Sequence, residues 1–245
     1  MAQTTIEILY PEFGNQAGDN GNAMYLRACL PQATFIETAF GEEPAFATRD
    51  DLSLILLCGM TERQQERVLD ALMPYAERLA ALADAGTPML FTGNAVELLG
   101  NMIITPEVRG ITGLGLFDFV THQLTPQRFT GVGLGTFQPA PDADPIDIVG
   151  FKMQFTQAEG KNEKWSFCTL KQGFGMNKKS AFEGVRRNNL IGTWFLGPLL
   201  TVNPPFTRWL LDTMGETDAV LAHEEVAMRA YKQRVKDFAT PGMDV

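Results

Sequence analysis

Thiols and imidazoles are the side chains that most often act as nucleophile and proton acceptor near neutral pH, and this sequence has few of them. The 245 residues include 3 cysteines and 2 histidines, which are Cys29, Cys58, Cys168, His122 and His223. An odd number of widely spaced cysteines predicts reduced thiols in a cytoplasmic protein, not a disulfide framework or a zinc site. Two histidines in unrelated contexts also favour neither a metal centre nor a bound cofactor.

The composition excludes several classes of protein. Hydrophobic residues make up 45% of the chain, which is ample material for a core and argues against intrinsic disorder. With 20 Lys and Arg against 29 Asp and Glu, the net charge of −9 disfavours nucleic-acid binding through a broad basic face. The apolar run 54–58 has the length of a strand, and no segment is long enough to insert into a membrane. The first residues lack the basic and apolar regions of a secretory signal.

The first half of the chain alternates strand and helix patterns. Strands are predicted at 5–10, 33–38, 52–58 and 88–92, and helices at 23–30, from 61 onward and at 74–85. Thr61 with Gln64 forms a capping-box pattern at one helix start, and Gly86 with Pro88 ends another helix. This alternation predicts an α/β fold with a doubly wound, mostly parallel sheet flanked by helices.

The second half is richer in glycine, as in 130–135 and 173–175, which predicts an antiparallel extension of the sheet. A final helix carries an apolar stripe, Met228, Tyr231, Val235 and Phe238, which indicates core packing, with a docking face for a partner as the alternative. Without an internal linker or repeat, residues 1–245 are predicted to form a single domain.

Two segments, 89–100 and 189–198, resemble class I glutamine amidotransferases of the CobB/CobQ type, and most of all the glutaminase subunits of lipid II isoglutaminyl synthase. They read MLFTGNAVELLG and NLIGTWFLGP, where the family has roughly ICGGYQxLG and LGTYxHGP. Further similar pieces follow the family's order, at 18–22, 58–64, 113–118, 128–131 and 150–154. The resemblance spans about residues 5–215 and implies a flavodoxin-like glutamine amidotransferase domain.

The same resemblance implies that the reacting groups are missing. Gly93 stands at the position of the family's nucleophilic cysteine, Leu196 at that of the histidine base, and Gln154 where a further histidine is frequent. Glycine has no side chain and leucine carries no proton, so neither replaces the lost group. The sequence therefore predicts a retained scaffold without an intact catalytic residue.

Binding residues are also implied by the resemblance. The backbone amides of Gly59 and Met60, together with Asn94, Gln154 and Arg128, are predicted to line a substrate site. Arg128 is equally consistent with an ordinary surface ion pair.

Cys58 ends an apolar strand at the loop that resembles an oxyanion hole. It is either a small buried core residue or a relocated nucleophile, the latter only if the helix from Thr61 lowers its pKa.

Three functions remain open from the sequence. The first is a non-catalytic or regulatory partner of a Mur-ligase-like synthetase, or of a paralogous glutaminase, in cell-wall peptidoglycan amidation. The second is a module that binds glutamine or another amino acid. The third is an active amidotransferase with an unorthodox nucleophile such as Cys58.

Overall fold

The central sheet is built from strands that are apolar on both sides, as parallel strands covered by helices must be. A computed structural model describes residues 3–240. The strands of the chain are β1 (Thr5–Leu9), β2 (Thr34–Thr38), β3 (Leu54–Leu57), β4 (Met89–Thr92), β5 (Met102–Ile104), β6 (Gly110–Thr112), β7 (Phe119–Gln123), β8 (Phe129–Phe137), β9 (Ile146–Gln154), β10 (Thr156–Gly160), β11 (Cys168–Gln172), β12 (Phe182–Glu183), β13 (Val185–Arg187) and β14 (Leu190–Thr193). The α-helices are α1 (Gly21–Cys29), α2 (Glu62–Leu72), α3 (Ala76–Ala85), α4 (Leu199–Val202), α5 (Pro204–Thr213) and α6 (Glu224–Phe238).

Six strands form the central sheet in the order β13-β14-β4-β3-β1-β2. All neighbours are parallel except β13, which pairs antiparallel with β14 at one edge. The carboxyl ends of the parallel strands therefore lie along one edge of the sheet, where loops from distant parts of the chain meet. In open α/β sheets this edge is where ligand sites form.

Both faces of the sheet are buried, as the apolar run 54–57 predicts. Ile55 and Leu57 point to the cluster that holds the apolar faces of α2 and α3. Leu54 and Leu56 point to the opposite cluster, with α1, α4 and α5. The predicted doubly wound arrangement of helices on both faces is confirmed.

The antiparallel part of the protein is larger than an extension of that sheet. One four-stranded sheet has the order β10-β7-β5-β6 and another the order β12-β11-β8-β9. Within residues 3–240, β13 is the only antiparallel strand of the central sheet. Helix α6 packs on the second of these sheets, with Tyr231 buried and Met228, Val235 and Phe238 half-buried against Leu134 and Val149. Core packing is thus the role of its apolar stripe.

Local signals in the sequence explain several element ends. The Thr61 side chain accepts a hydrogen bond from the amide of Gln64, and the Gln64 side chain accepts one from the Thr61 amide. These two bonds complete the predicted capping box of α2. Gly86 ends α3 with a φ of +83°, a conformation that glycine adopts at little cost. Within residues 3–240, no helix is both long and apolar enough to cross a bilayer.

Candidate functional site

The site is centred on the sharp turn at Gly93, where β4 gives way to the 3₁₀ helix Gly93–Leu99. Gly93 has a φ of +59°, in the left-handed region that favours glycine. A Cβ placed on Gly93 would lie 3.0 Å from Gly59 Cα and 3.1 Å from Leu196 Cδ2. The positions that the sequence assigns to nucleophile and base therefore face each other, beside the loop that follows β3.

Leu196 is placed by the strand that also carries Gln154. Its amide donates to the carbonyl of Phe151 at 2.8 Å, and the Phe151 amide donates back to the Leu196 carbonyl at 3.1 Å. This bridge fixes the segment after β14 against β9. Leu196 is buried and packs into the turn where a base would have to move a proton.

A buried carboxylate closes one side of the turn. Asp19 Oδ2 accepts hydrogen bonds from the Gly59 amide at 2.8 Å and from Thr92 Oγ1 at 2.5 Å. Its Oδ1 accepts from Asn22 Nδ2 at 2.9 Å, and Asn22 in turn accepts from the amide of Leu200. Burial raises the pKa of Asp19 to about 6, against the opposing effect of these donors. Asp19 thereby joins the loop after β1 to the loop after β3 and to the end of β4.

The amides of Gly59 and Met60 are both taken by side chains of the protein itself. The Gly59 amide donates to Asp19, as above, and the Met60 amide donates to Asn94 Oδ1 at 2.9 Å. Asn94 Nδ2 completes the pair by donating to the Met60 carbonyl at 2.8 Å. The predicted role of these amides as ligand donors would require breaking these internal bonds. The Asn94 side chain therefore fixes the backbone of the loop that follows β3.

A narrow cleft lies over the turn. Its lining consists of Gln16, Glu62, Gly93, Asn94, Glu97, Met153, Gln154, Phe155, Thr156, Trp194 and Leu196. Counted as space for the centres of water molecules, its volume is about 20 Å³, which is room for about one of them. Gln154 is buried at the wall of this cleft, whereas Arg128 is exposed and stacks on Phe155 at 5.1 Å from the ring centroid. The structure thus brings Gly93, Asn94, Gln154 and Leu196 together, with Arg128 at the rim.

Glu97 is a functional candidate that sequence reasoning missed. It is buried, with Oε1 accepting from Thr156 Oγ1 at 2.6 Å and from Trp194 Nε1 at 3.1 Å. Its Oε2 accepts from Gln65 Nε2 at 2.8 Å. Burial raises the pKa of Glu97 to about 7, more than these three donors lower it. A carboxyl in the cleft therefore changes charge near neutral pH.

This shift predicts a pH-dependent stability that Glu97→Gln removes. Because the folded protein holds the Glu97 proton more tightly than the unfolded chain, stability present below pH 4.5 is lost as the pH rises to about 7. Between pH 4.5 and about 7, the free energy of unfolding should fall by about 3 kcal/mol less in Glu97→Gln than in the wild-type protein. Urea denaturation at a series of pH values measures the difference.

The exposed Glu225 provides the matched control, since Glu225→Gln should leave the pH profile unchanged. Parallel pH profiles for the wild-type protein and Glu97→Gln would contradict the assignment.

Cys58 lies on the other side of the loop, buried among apolar residues at 3% exposure. Burial raises the pKa of its thiol well above the usual value, and the nearby charge of Asp19 raises it further. The raised pKa is the opposite of the lowered pKa that a relocated nucleophile requires. Cys29 and Cys168 are also buried, and all three thiols are free.

A buried ion pair supports the segment that carries Trp194 and Leu196. Lys152 Nζ lies 2.5 Å from Glu183 Oε2, and both side chains are almost fully buried. Glu183 Oε1 accepts from Thr193 Oγ1 at 2.8 Å and from the Trp194 amide at 2.9 Å. The pair therefore fixes the backbone just before Leu196.

The two histidines lie apart from this cluster. His122 is half-buried, 3.9 Å from Glu159, and His223 is exposed before α6. In the part of the chain that the structure describes, no group of three or more His, Cys, Asp or Glu residues is arranged to hold a metal ion.

Comparison with known proteins gives one family and several relatives. The family model for the CobB/CobQ-like glutamine amidotransferase domain matches residues 10–204. A protein of Staphylococcus aureus (strain N315), the GatD subunit of lipid II isoglutaminyl synthase (glutamine-hydrolyzing), is 27% identical over 227 residues, covering 90% of this chain and 88% of the relative. The subunit of the same name from Streptococcus pneumoniae (strain ATCC BAA-255 / R6) is 22% identical, covering 96% and 91%.

Solved structures give the same fold. PurLQS from Thermotoga maritima matches with a TM-score of 0.55 and 14% identity, covering 95% of this chain and 99% of that one. A glutamine amidotransferase from the same organism matches with a TM-score of 0.50 and 11% identity, covering 96% and 95%. The predicted resemblance and the predicted fold class are both confirmed.

Proposed function

The chain belongs to the CobB/CobQ-like glutamine amidotransferase family, and on that premise we propose that it is a catalytically degenerate member. It acts as a non-catalytic subunit or regulator of a Mur-ligase-like synthetase in peptidoglycan amidation. Its three free thiols favour the cytoplasm as the place of action.

The geometry at Gly93 carries this proposal. Glutamine hydrolysis of this type needs a thiolate at the strand-to-helix turn and an imidazole within hydrogen-bond reach of it. Here the turn keeps its backbone form, but it places a glycine against Leu196 Cδ2. The developing oxyanion would also need free amide donors, and those of Gly59 and Met60 already bind Asp19 and Asn94.

The setting and the partner are proposed from the relatives. Both curated proteins bear the name of a subunit of lipid II isoglutaminyl synthase, and the chain covers most of their length. A subunit that has lost its own chemistry can retain the surface that contacts its partner, because folding and docking do not depend on the reacting groups. A paralogous glutaminase is the alternative partner.

We expect the purified chain to release no ammonia from glutamine, alone or with the synthetase, and to co-elute with a Mur-ligase-like synthetase in size-exclusion chromatography. The ammonia assay should be run in parallel with Cys58→Ala. Turnover that disappears in Cys58→Ala would establish an active enzyme with a relocated nucleophile. Separate elution of the two proteins at micromolar concentration would argue against the synthetase as partner.

The binding-module alternative is favoured by one observation. Gln154 Oε1 is buried and has no hydrogen-bond partner, so it is available to accept a hydrogen bond from a bound ligand. A thermal-shift panel of amino acids at millimolar concentration tests it, because a ligand specific for the folded state raises the melting temperature.

A further inference from the structure

We propose that the cleft over Gly93 binds one small ammonium group, either the free ammonium ion or the end of an alkylamine. The inference rests on the proposed function, since it takes the cleft to be inactive toward glutamine. Its basis is the charge of the lining, one unpartnered acceptor and the size of the space.

The lining has one sign of charge. Of the eleven residues that form it, Glu62 and Glu97 are acidic and none is Lys, Arg or His. Neither carboxylate forms an ion pair with another residue in the range 3–240. A cation therefore gains attraction from two carboxylates, whereas a carboxylate or phosphate would be repelled.

Gln154 supplies the second, independent observation. Its side chain is 6% exposed, and Nε2 donates to the Thr156 carbonyl at 2.8 Å while Oε1 has no partner. Turning the amide over would set Oε1 against the Thr156 carbonyl oxygen, so the hydrogen bond fixes the orientation. The free group at the cleft wall is thus an acceptor, and it requires a donor.

Thr156 is hydrogen-bonded to both of the side chains that carry these acceptors. Its hydroxyl donates to Glu97 Oε1 at 2.6 Å, and its carbonyl accepts from Gln154 Nε2. Glu97 Oε2 accepts only from Gln65 and retains lone-pair capacity. An ammonium group offers several donors to these oxygens in a space of about 20 Å³, the size of one water molecule.

The charges around the cleft do not oppose this cation. The buried Lys152 places its Nζ 5.6 Å from the centroid of the Trp194 ring. Its charge is matched by Glu183 at 2.5 Å. Arg128 stacks outside on Phe155. Above the pKa of Glu97, about 7, the net local charge favours a cation.

The test measures the melting temperature of the intact protein near pH 8 in ammonium chloride and in sodium chloride of equal ionic strength. At ten times the dissociation constant, ammonium should raise the melting temperature by about 4 °C relative to sodium. Methylammonium should act similarly, and tighter binding of methylammonium would indicate an alkylamine as the natural source. Tetramethylammonium, which has no N–H donor, should have no effect.

Variants separate the cleft from general salt effects. Glu97→Gln should abolish the rise in melting temperature caused by ammonium. Gln154→Leu should weaken the apparent affinity for ammonium about fivefold. Glu225→Gln, at an exposed position, should leave the rise in melting temperature and the affinity unchanged. Gln154→Leu decides the question if Glu97→Gln fails to fold. Equal shifts with potassium, tetramethylammonium and ammonium, or an unchanged shift in both cleft variants, would overturn the inference.

The outcome is distinct from that of the proposed function. If the protein releases no ammonia from glutamine and ammonium does not raise its melting temperature specifically, the ammonium site is refuted and the proposed function stands. If the wild-type chain hydrolyses glutamine, the proposed function is refuted, whether or not ammonium raises the melting temperature.

Discussion

Gly93→Cys combined with Leu196→His should create a reactive thiol, because the structure places these two positions against each other. A Cβ at Gly93 is 3.1 Å from Leu196 Cδ2, so a sulfur and an imidazole there come within hydrogen-bond reach. We expect the new thiol to react with iodoacetamide at least about 100-fold faster in the double variant than in Gly93→Cys alone. Cys58, which is buried with a raised pKa, gives the low background rate.

Hydrolysis of glutamine by the double variant should be detectable but slow. Loss of one oxyanion donor costs about 10²- to 10³-fold in rate, and here the amides of Gly59 and Met60 are both engaged. Gly93→Ser with Leu196→His is the matched control, since it preserves the shape without the thiol. Equal alkylation rates in the single and double cysteine variants would show that the two positions do not meet.

The sequence predicted those parts of the fold that local patterns encode. β1, the capping box at Thr61 and the end of α3 at Gly86 were predicted correctly, because alternation, a side-chain cap and a left-handed glycine act within a few residues. Helix α5 was not predicted, although Pro204 stands at its first position, where proline is favoured. In the second half the final helix was predicted correctly, but the strands were predicted only as an antiparallel extension, since their partners are distant in sequence.

The contacts that define the site were beyond local reasoning. Asp19 reaches the Gly59 amide across 40 residues, and Glu97 reaches Thr156 across 59. Glu97 lies between Val96 and Leu98, and a charged residue within this apolar segment was the one signal of a buried carboxyl. Its hydrogen-bond partners come from α2, from β10 and from the segment after β14, and no periodicity in the sequence encodes that meeting.

Lys152→Met should be among the most destabilising single substitutions in the protein. Lys152 and Glu183 are both almost fully buried, so removing the lysine leaves an uncompensated charge in the core. Breaking one side of a buried ion pair costs about 3–5 kcal/mol in the free energy of unfolding. Lys152 also donates to the Gly175 carbonyl at 2.5 Å, and this bond is lost as well. Urea denaturation near neutral pH measures the effect.

The double variant Lys152→Met/Glu183→Gln distinguishes charge from packing. Glutamine preserves an acceptor for Thr193 and the Trp194 amide while removing the buried charge, so at least about half of the lost stability should return. The exposed pair of Lys171 and Asp147 is the control, where Lys171→Met should cost less than about 1 kcal/mol. Equal losses in Lys152→Met and the double variant would mean that the lysine stabilises the core by its packing rather than through its partner.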